Sequence, residues 1–278
     1  MHPTHAAGRV ADEHRYDEGS HVSAPAGTYT VTILNNGDWA THGTVMYDNA
    51  YPSPKHVKIA MNFFLLEGGG QRILVDTGID NALDYTTPEQ REEFGLTTHR
   101  TTVAALAEHG LTPDDIDILI ITHLHFDHYV NAPLFNRARI VLNRREYQHV
   151  LLPENRVVLP RNSYPREVFA WLVDEAWDRV DLVDGEVEVR PGLRVIWTGG
   201  HTPGHQIVVA DTTAGPVVIP GDEVYLYEHV ESLIPIGNHY DLLRHVETLR
   251  RIRALGATVL PAHDIRIRDR HPSLRIGD

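Results

Sequence analysis

Residues 122–128 follow directly after an apolar run and restrict what this chain can fold into more than any other segment. The run, residues 116–121, is short and rich in isoleucine, and turn-forming residues 112–115 precede it. This pattern predicts a buried strand. The end of that strand carries three imidazoles and one carboxylate: His123, His125, Asp127 and His128. Because neutral imidazoles and carboxylates bind Zn²⁺, Co²⁺, Fe²⁺ and Mn²⁺, the segment predicts a metal site.

The spacing of the first two histidines supports that prediction. In an extended backbone, residues two apart point to the same side, so His123 and His125 can reach one ion. A lone histidine is more often a core or surface residue. Four candidate ligands at the end of one strand favour a metal site over that simpler explanation.

The pattern His-x-His-x-Asp-His resembles the metal-binding motif of the metallo-β-lactamase superfamily. That motif continues with a histidine, an acidic residue and a last histidine, and the chain offers His205, Asp222 and His263 in that order. Residues 74–78, Leu-Val-Asp-Thr-Gly, match the superfamily's first motif. The resemblance runs from about residue 28 to about residue 269.

The resemblance implies an α/β fold, an αββα sandwich of two mixed β-sheets flanked by helices. It also implies two divalent metal ions, with Zn²⁺ the first expectation and Fe, Co or Mn as alternatives. The implied ligands are His123, His125 and His205 at one site, Asp127, His128 and His263 at the other, and Asp222 as the bridge. Two ions about 3.5–4 Å apart turn a shared water into hydroxide near neutral pH. Asp76 is expected to accept a hydrogen bond from a metal-bound imidazole.

Tyr225, three residues after Asp222, resembles a tyrosine of the N-acyl homoserine lactonase branch, the quorum-quenching lactonases. The implied reaction is attack of a metal-bound hydroxide on a lactone carbonyl. The Tyr225 phenol would stabilise the developing oxyanion, and Asp127 would pass a proton to the leaving alkoxide. The alternative for Tyr225 is simple packing in the loop.

Other branches are less consistent with the chain. The absence of cysteine argues against the β-lactamases that bind zinc through a thiolate, and His125 stands where the diiron oxidoreductases would carry glutamate. An aromatic lactone, as for the pyridoxolactonases, and a thioester, as for glyoxalase II, remain alternative substrates. A nuclease and a non-catalytic metal-binding protein remain as less favoured classes.

Composition limits the partners. The formal net charge of −13 opposes binding to a nucleic-acid backbone, and no apolar run reaches the length of a membrane span. The partner that the lactonase resemblance implies is a small-molecule lactone, and a homodimer stays open. Residues 1–27 are polar and histidine-rich without the apolar core of a secretory signal, so the cytoplasm is the expected compartment.

Hydrophobic residues at 42% and a length of 278 residues are typical of a single globular domain. We expect a flexible tail over residues 1–27 and one hydrolase domain over 28–278. Within it we expect a strand at 29–34, a long loop at 35–56 and a hairpin built from 57–66 and 72–76. A cap insertion is predicted at about 151–180, and the last long helix at about 240–255.

Overall fold

A computed structural model describes residues 27–81, 86–96, 99–159 and 163–277. Apart from Gly27, the predicted N-terminal tail lies outside the described residues. The strands are β1 Thr30–His42, β2 His56–Gly68, β3 Gln71–Val75, β4 Ile118–Ile120, β5 Arg139–Asn143, β6 Val180–Val183, β7 Glu186–Arg190, β8 Leu193–Trp197, β9 Gln206–Ala210, β10 Val217–Ile219, β11 Thr258–Val259 and β12 Arg275–Ile276. The helices are α1 Gly43–Met46, α2 Pro88–Phe94, α3 Thr102–Ala107, α4 Phe126–Tyr129, α5 Arg144–Leu151, α6 Arg166–Asp174, α7 Tyr227–Ser232, α8 Leu242–Ala254 and α9 Ile267–Arg270.

The strands form two mixed sheets, which confirms the predicted fold class. Seven strands lie in the order β12-β1-β2-β3-β4-β5-β6 and five in the order β11-β10-β9-β8-β7. In the larger sheet β1, β2 and β3 pair antiparallel, whereas β3, β4, β5 and β6 pair parallel. In the smaller sheet only β10 and β11 pair parallel.

The inner strands of each sheet are buried on both faces, and this explains their nearly continuous apolar runs in the sequence. Ile118 and Ile120 of β4 face the smaller sheet, where they join one core cluster with Val195 and Val208. Leu119, between them, points the other way and packs in a cluster with residues of α3 and α6. The outer face of the smaller sheet packs against α8. The layers therefore run helix, sheet, sheet, helix.

The prediction of a loop at residues 35–56 is wrong for residues 35–42. The strand β1 continues to His42 and pairs with β2 along its whole length. Its alternation is interrupted at Asn35 and Asp38, where the register shifts at a bulge. Gly37 there has a φ of 131°, which glycine adopts without strain. The extra residues of the bulge broke the sequence periodicity but not the strand.

The segment at 151–180 contributes to two different parts of the molecule. Phe169, Trp171 and Leu172 of α6 are buried in the same core cluster as Leu119, and α6 lies between the parallel strands β5 and β6 in the chain. Ser163, by contrast, borders a cavity beside the predicted metal ligands. A capping role for this segment stays a prediction. Among the described residues, no helix is long and apolar enough to cross a bilayer.

The strand directions bring the predicted ligands to one edge. The parallel strands β3 and β4 end beside each other, as do β10 and β11, and β9 begins at the same edge. Asp76 follows β3, residues 122–128 follow β4, Asp222 follows β10 and His263 follows β11. Ligands far apart in sequence therefore meet because the ends of these strands meet.

Candidate metal centre

Three imidazoles converge at the end of β4. His123 Nε2 lies 2.9 Å from His125 Nδ1, and His201 Nε2 lies 2.9 Å from the same nitrogen. The two Nε2 atoms are 3.2 Å apart. His123 and His201 are buried. Three ring nitrogens that all face one another cannot all be paired by their own protons, whereas a cation between them would satisfy every lone pair.

Asp127, His128 and His263 form a second group. Asp127 Oδ2 lies 3.6 Å from Nε2 of His128 and 3.6 Å from Nε2 of His263. These two Nε2 atoms also flank one oxygen of Asp222, Oδ1, at 3.0 and 3.1 Å. With this oxygen of Asp222 included, two imidazoles and two carboxylates meet at the second group.

The Asp222 carboxylate lies between the two groups. Its Oδ2 is 3.2 Å from His201 Nε2 and 3.4 Å from His123 Nε2, while Oδ1 faces His128 and His263. One oxygen of the carboxylate thus serves each group. This is the geometry expected of a carboxylate that bridges two ions.

The outer nitrogens of the second group and of His201 are held by oxygen acceptors. His201 Nδ1 lies 2.6 Å from the carbonyl oxygen of Asn238, and His263 Nδ1 lies 3.0 Å from that of Ala60. A neutral imidazole that donates Nδ1–H to a carbonyl has its lone pair on Nε2. These two hydrogen bonds therefore orient Nε2 of His201 and of His263 toward the centre, where a cation can bind them.

Asp76 has the predicted role beside these imidazoles. Its Oδ2 accepts a hydrogen bond from His128 Nδ1 at 2.7 Å and one from the hydroxyl of Thr122 at 2.9 Å. The same hydroxyl lies 3.1 Å from His123 Nδ1. One carboxylate thus orients His128 directly and His123 through Thr122.

The donor set fits two divalent cations. Six of the seven predicted ligand residues, together with His201, point their nitrogen or oxygen atoms into the two groups. His128 Nε2 is buried and makes no hydrogen bond of good geometry, although Asp222 Oδ1 lies only 3.0 Å away, and a buried imidazole nitrogen normally has such a bond. Imidazole and carboxylate donors in this number are suited to Zn²⁺ and to Co²⁺, Fe²⁺ or Mn²⁺.

The ionisation of the site agrees with a place for positive charge. Burial lowers the pKa of His123 and of His125 well below the usual value, so both are neutral ligands. Burial by itself raises the pKa of Asp222, but the imidazoles around it, His128 first, hold that pKa well below its ordinary value. Burial lowers the pKa of His128, but the carboxylates around it, Asp222 first, outweigh burial and raise that pKa well above normal. The negative charge of these carboxylates therefore favours binding of a cation.

His205 does not lie where the motif predicted it. Its Nε2 accepts the backbone N–H of Asp222 at 3.1 Å, and its Nδ1 lies 3.1 Å from the hydroxyl of Thr198. With both ring nitrogens engaged there, His205 belongs to neither group, and His201 occupies the predicted place. The two histidines stand four residues apart in one motif. The structural difference is that His205 immediately precedes β9, whereas His201 lies in the loop before it.

Tyr225 lines a cavity of about 300 Å³ that opens onto the centre. Its ring centroid is 5.8 Å from that of His201 and 5.5 Å from that of His263. Burial, and then the negative charge of Asp222 and Asp127, raises the pKa of Tyr225 well above its usual value. The phenol is therefore a hydrogen-bond donor at neutral pH.

That cavity has an apolar wall formed by Trp39, Val45, Met46, Ile59 and Phe126. Asp127, Asp222 and His263 lie at its metal end, and the rest of its lining is polar. The rings of Trp39 and Phe126 meet edge to face at 5.8 Å. A second cavity of about 340 Å³ reaches His201 and shares His125, Ser163 and Asn238 with the first.

Comparison with known proteins agrees with this geometry. Residues 60–263 match the family model of the metallo-β-lactamase superfamily. An N-acyl homoserine lactonase from Bacillus cereus is 28% identical over 217 residues, which cover 73% of this chain and 80% of that protein. An N-acyl homoserine lactonase of Azorhizobium caulinodans is 27% identical over 231 residues, covering 74% and 82%.

A crystal structure of a quorum-quenching N-acyl homoserine lactone lactonase superposes with a TM-score of 0.70. It is 24% identical, with 87% of this chain and 95% of that chain covered, and at that identity it shows a common fold. The family model spans most of the chain and contains the ends of β3, β4, β9, β10 and β11 that build the centre. The chain therefore belongs to the metallo-β-lactamase superfamily.

Proposed function

We propose that this chain is a binuclear metal-dependent hydrolase that opens the ring of N-acyl homoserine lactones. One observation carries the proposal: Asp222 lies between two groups of metal-binding side chains, and a cavity with one apolar wall ends beside it. The names of the relatives, N-acyl homoserine lactonases, support the substrate class.

Seven side chains would hold the two ions: His123, His125 and His201 for one, Asp127, His128 and His263 for the other, and Asp222 for both. When bound, a pair of divalent ions, Zn²⁺ before Co²⁺, Fe²⁺ or Mn²⁺, would make a shared water acidic enough to ionise near neutral pH and would polarise the lactone carbonyl. Asp76 and the carbonyl oxygens of Ala60 and Asn238 keep the imidazoles oriented for this role.

The apolar wall of this cavity suits the acyl chain of the substrate. Trp39, Met46, Ile59 and Phe126 belong to that wall, and burying each methylene of a chain against it contributes about 0.8 kcal/mol. Its volume of about 300 Å³ is at the lower end of small-molecule sites. The acyl chain would thereby hold the lactone carbonyl at the metal end of the cavity.

Tyr225 and Asp127 would perform the chemical steps that belong to the protein. Tyr225, with its proton retained, would donate a hydrogen bond to the carbonyl oxygen as it gains negative charge. Asp127, whose pKa is raised by burial, would take the proton of the attacking water. When the ring C–O bond breaks, Asp127 would return that proton to the leaving alkoxide, so the products are one hydroxyl and one carboxylic acid, which releases its proton to solvent at neutral pH.

The test combines metal content with a substrate panel. Purified protein should contain two ions per chain by elemental analysis, and kcat/KM should be highest for acyl homoserine lactones among acyl lactones, aromatic lactones and thioesters. Asp222→Asn should hold the two ions less tightly and lose lactonase activity. Asp211→Asn, at the other end of β9, is the matched control.

Two results would overturn the proposal. A single ion in fully active protein would exclude the binuclear centre. A higher kcat/KM for thioesters or aromatic lactones would reassign the substrate, and metal-dependent cleavage of a structured RNA at a comparable rate would favour a nuclease. We expect no cleavage of RNA, because a net charge of −13 repels the phosphate backbone.

A further inference from the structure

Glu146 is a fully buried carboxylate close to the three-histidine group. It lies in the first turn of α5 and has no exposed surface. Its Oε1 accepts the backbone N–H of Leu124 at 3.1 Å. Its Oε2 accepts the hydroxyl of Thr202 at 2.8 Å and the backbone N–H of Gly204 at 2.9 Å. One side chain thus accepts three hydrogen bonds from two separate segments.

Those two segments carry all three histidines of the group. Leu124 lies between His123 and His125, and Thr202 follows His201 directly. Glu146 therefore connects the end of β4 with the loop before β9 through a single carboxylate.

The loop also approaches α5 closely enough to require glycine. A Cβ on Gly204 would lie 1.9 Å from the backbone nitrogen of Glu146, far inside contact distance. The helix start and the loop are therefore packed backbone to backbone. Glu146 reaches its donors because this close approach places it between them.

Burying this carboxylate is costly. None of the ion pairs of the described residues includes Glu146, and three hydrogen bonds offset only part of the desolvation of a buried charge. Because burying Glu146 costs free energy, a role in positioning the two segments explains it better than a gain in the stability of the fold does. Small displacements of a constellation of reacting groups reduce its function steeply.

We propose that Glu146 is a positioning residue that sets the spacing of His201 from His123 and His125, and thereby the affinity of the first ion. The inference rests on the proposed metal centre and adds a residue that touches neither ion nor substrate. Its effect should be confined to the three-histidine group, because each of those histidines is adjacent in the chain to a donor to Glu146, whereas Asp127, His128 and His263 are not.

The test is metal titration of the apoprotein with Glu146→Gln. Glutamine keeps the shape but turns an –NH₂ toward one of the two sets of donors, so the two segments should separate. To read each site alone, the substitution is placed in a His263→Gln background, which leaves the three-histidine group, and in a His201→Gln background, which leaves the other. We expect affinity about 10- to 100-fold weaker in the first background and unchanged in the second.

Thr202→Val provides a second, milder variant that removes only the hydroxyl donor, and it decides the matter if Glu146→Gln does not fold. It should weaken the first ion in the same direction. The double variant should lose less affinity than the sum of the two single losses, because both changes act on the same hydrogen bond, from the Thr202 hydroxyl to Glu146. Glu154→Gln, an exposed glutamate in the turn after α5, is the matched control and should bind as wild type does.

The outcomes separate the two proposals. Wild-type protein that binds fewer than two ions overturns the proposed function itself. Wild-type protein with two ions, together with variants that bind the first ion equally tightly, overturns only the role of Glu146. Equal weakening at both groups, alongside a lower melting temperature of the apoprotein, would assign Glu146 to general stability and also overturn it.

Discussion

The Asp76 carboxylate lies 2.7 Å from Nδ1 of His128. The backbone of Asp76 has a φ of 60°, in the left-handed region that aspartate and asparagine tolerate better than most residues. Its other oxygen, Oδ1, accepts the N–H of Thr122 at 2.8 Å. The left-handed turn after β3 therefore aims one carboxylate at the end of β4, where it fixes the ring of His128.

The first prediction follows from this contact. Asp76→Asn keeps the backbone conformation but leaves one oxygen to serve three donors, so His128 should lose its fixed orientation. We expect metal affinity at the Asp127, His128 and His263 group to fall about 10- to 100-fold, measured by titration of the apoprotein. Asp117→Asn, at the start of β4, is the control and should bind both ions normally. Unchanged affinity in Asp76→Asn would show that Asp76 is not needed to orient the ligand.

A second prediction distinguishes the two histidines of the motif at residues 200–205. His201→Gln should leave one ion per chain, because the three-histidine group loses a ligand. His205→Gln should keep two, because His205 bonds to the N–H of Asp222 and the hydroxyl of Thr198. Elemental analysis of both proteins, with circular dichroism to confirm folding, provides the comparison. The reverse pattern would restore His205 as the ligand.

Tyr225 tests the lactonase proposal more narrowly than the metal ligands do. Tyr225→Phe removes a hydroxyl and keeps the ring, so metal content should not change. Loss of a hydrogen bond to the oxyanion should cost about 1–3 kcal/mol, or roughly 5- to 150-fold, mainly in kcat. Tyr227→Phe is a matched control, since the hydroxyl of Tyr227 is buried without a hydrogen-bond partner. Unchanged kcat and KM in Tyr225→Phe would leave Tyr225 with a packing role only.

A fourth prediction concerns stability at acid pH. Burial lowers the pKa of His229 to about 4 from 6.5, so the folded protein resists a proton that the unfolded chain accepts. This contribution to stability is present above pH 6.5 and is lost as the pH falls toward 4. His229→Gln, which can still donate to the Ile234 carbonyl, should therefore lose less stability than wild type on going from pH 7 to pH 5. The charged neighbours His245, Asp264 and Arg266 remain in the variant.

Urea unfolding of the two apoproteins at pH 7 and pH 5 measures this effect. The difference between wild type and His229→Gln should change by about 2 kcal/mol, calculated for one proton with these two pKa values. Using the apoproteins removes the separate effect of acid on metal binding. Parallel losses in the two proteins would mean that His229 does not resist protonation in the folded state.

Sequence periodicity predicted much of the fold correctly. The hairpin of β2 and β3 was predicted from glycines between two apolar runs, and β4 from a short run of isoleucines. These elements depend on local rules, since side chains alternate along a strand and glycine permits the turn. The extension of β1 to His42 was missed, because a bulge at residues 35–38 breaks the alternation while pairing with β2 continues.

His123, His125, Asp127 and His128 were identified from residue types and spacing at the end of one strand, whereas the other candidate ligands came from the resemblance to the superfamily. Which side chains meet was decided only by tertiary structure. Sequence spacing could not choose between His201 and His205, since both precede β9 by a few residues. The choice depends on which ring faces the group and which accepts the N–H of Asp222. Glu146 carried no sequence signal either: its three donors come from segments that are adjacent only after both sheets have packed.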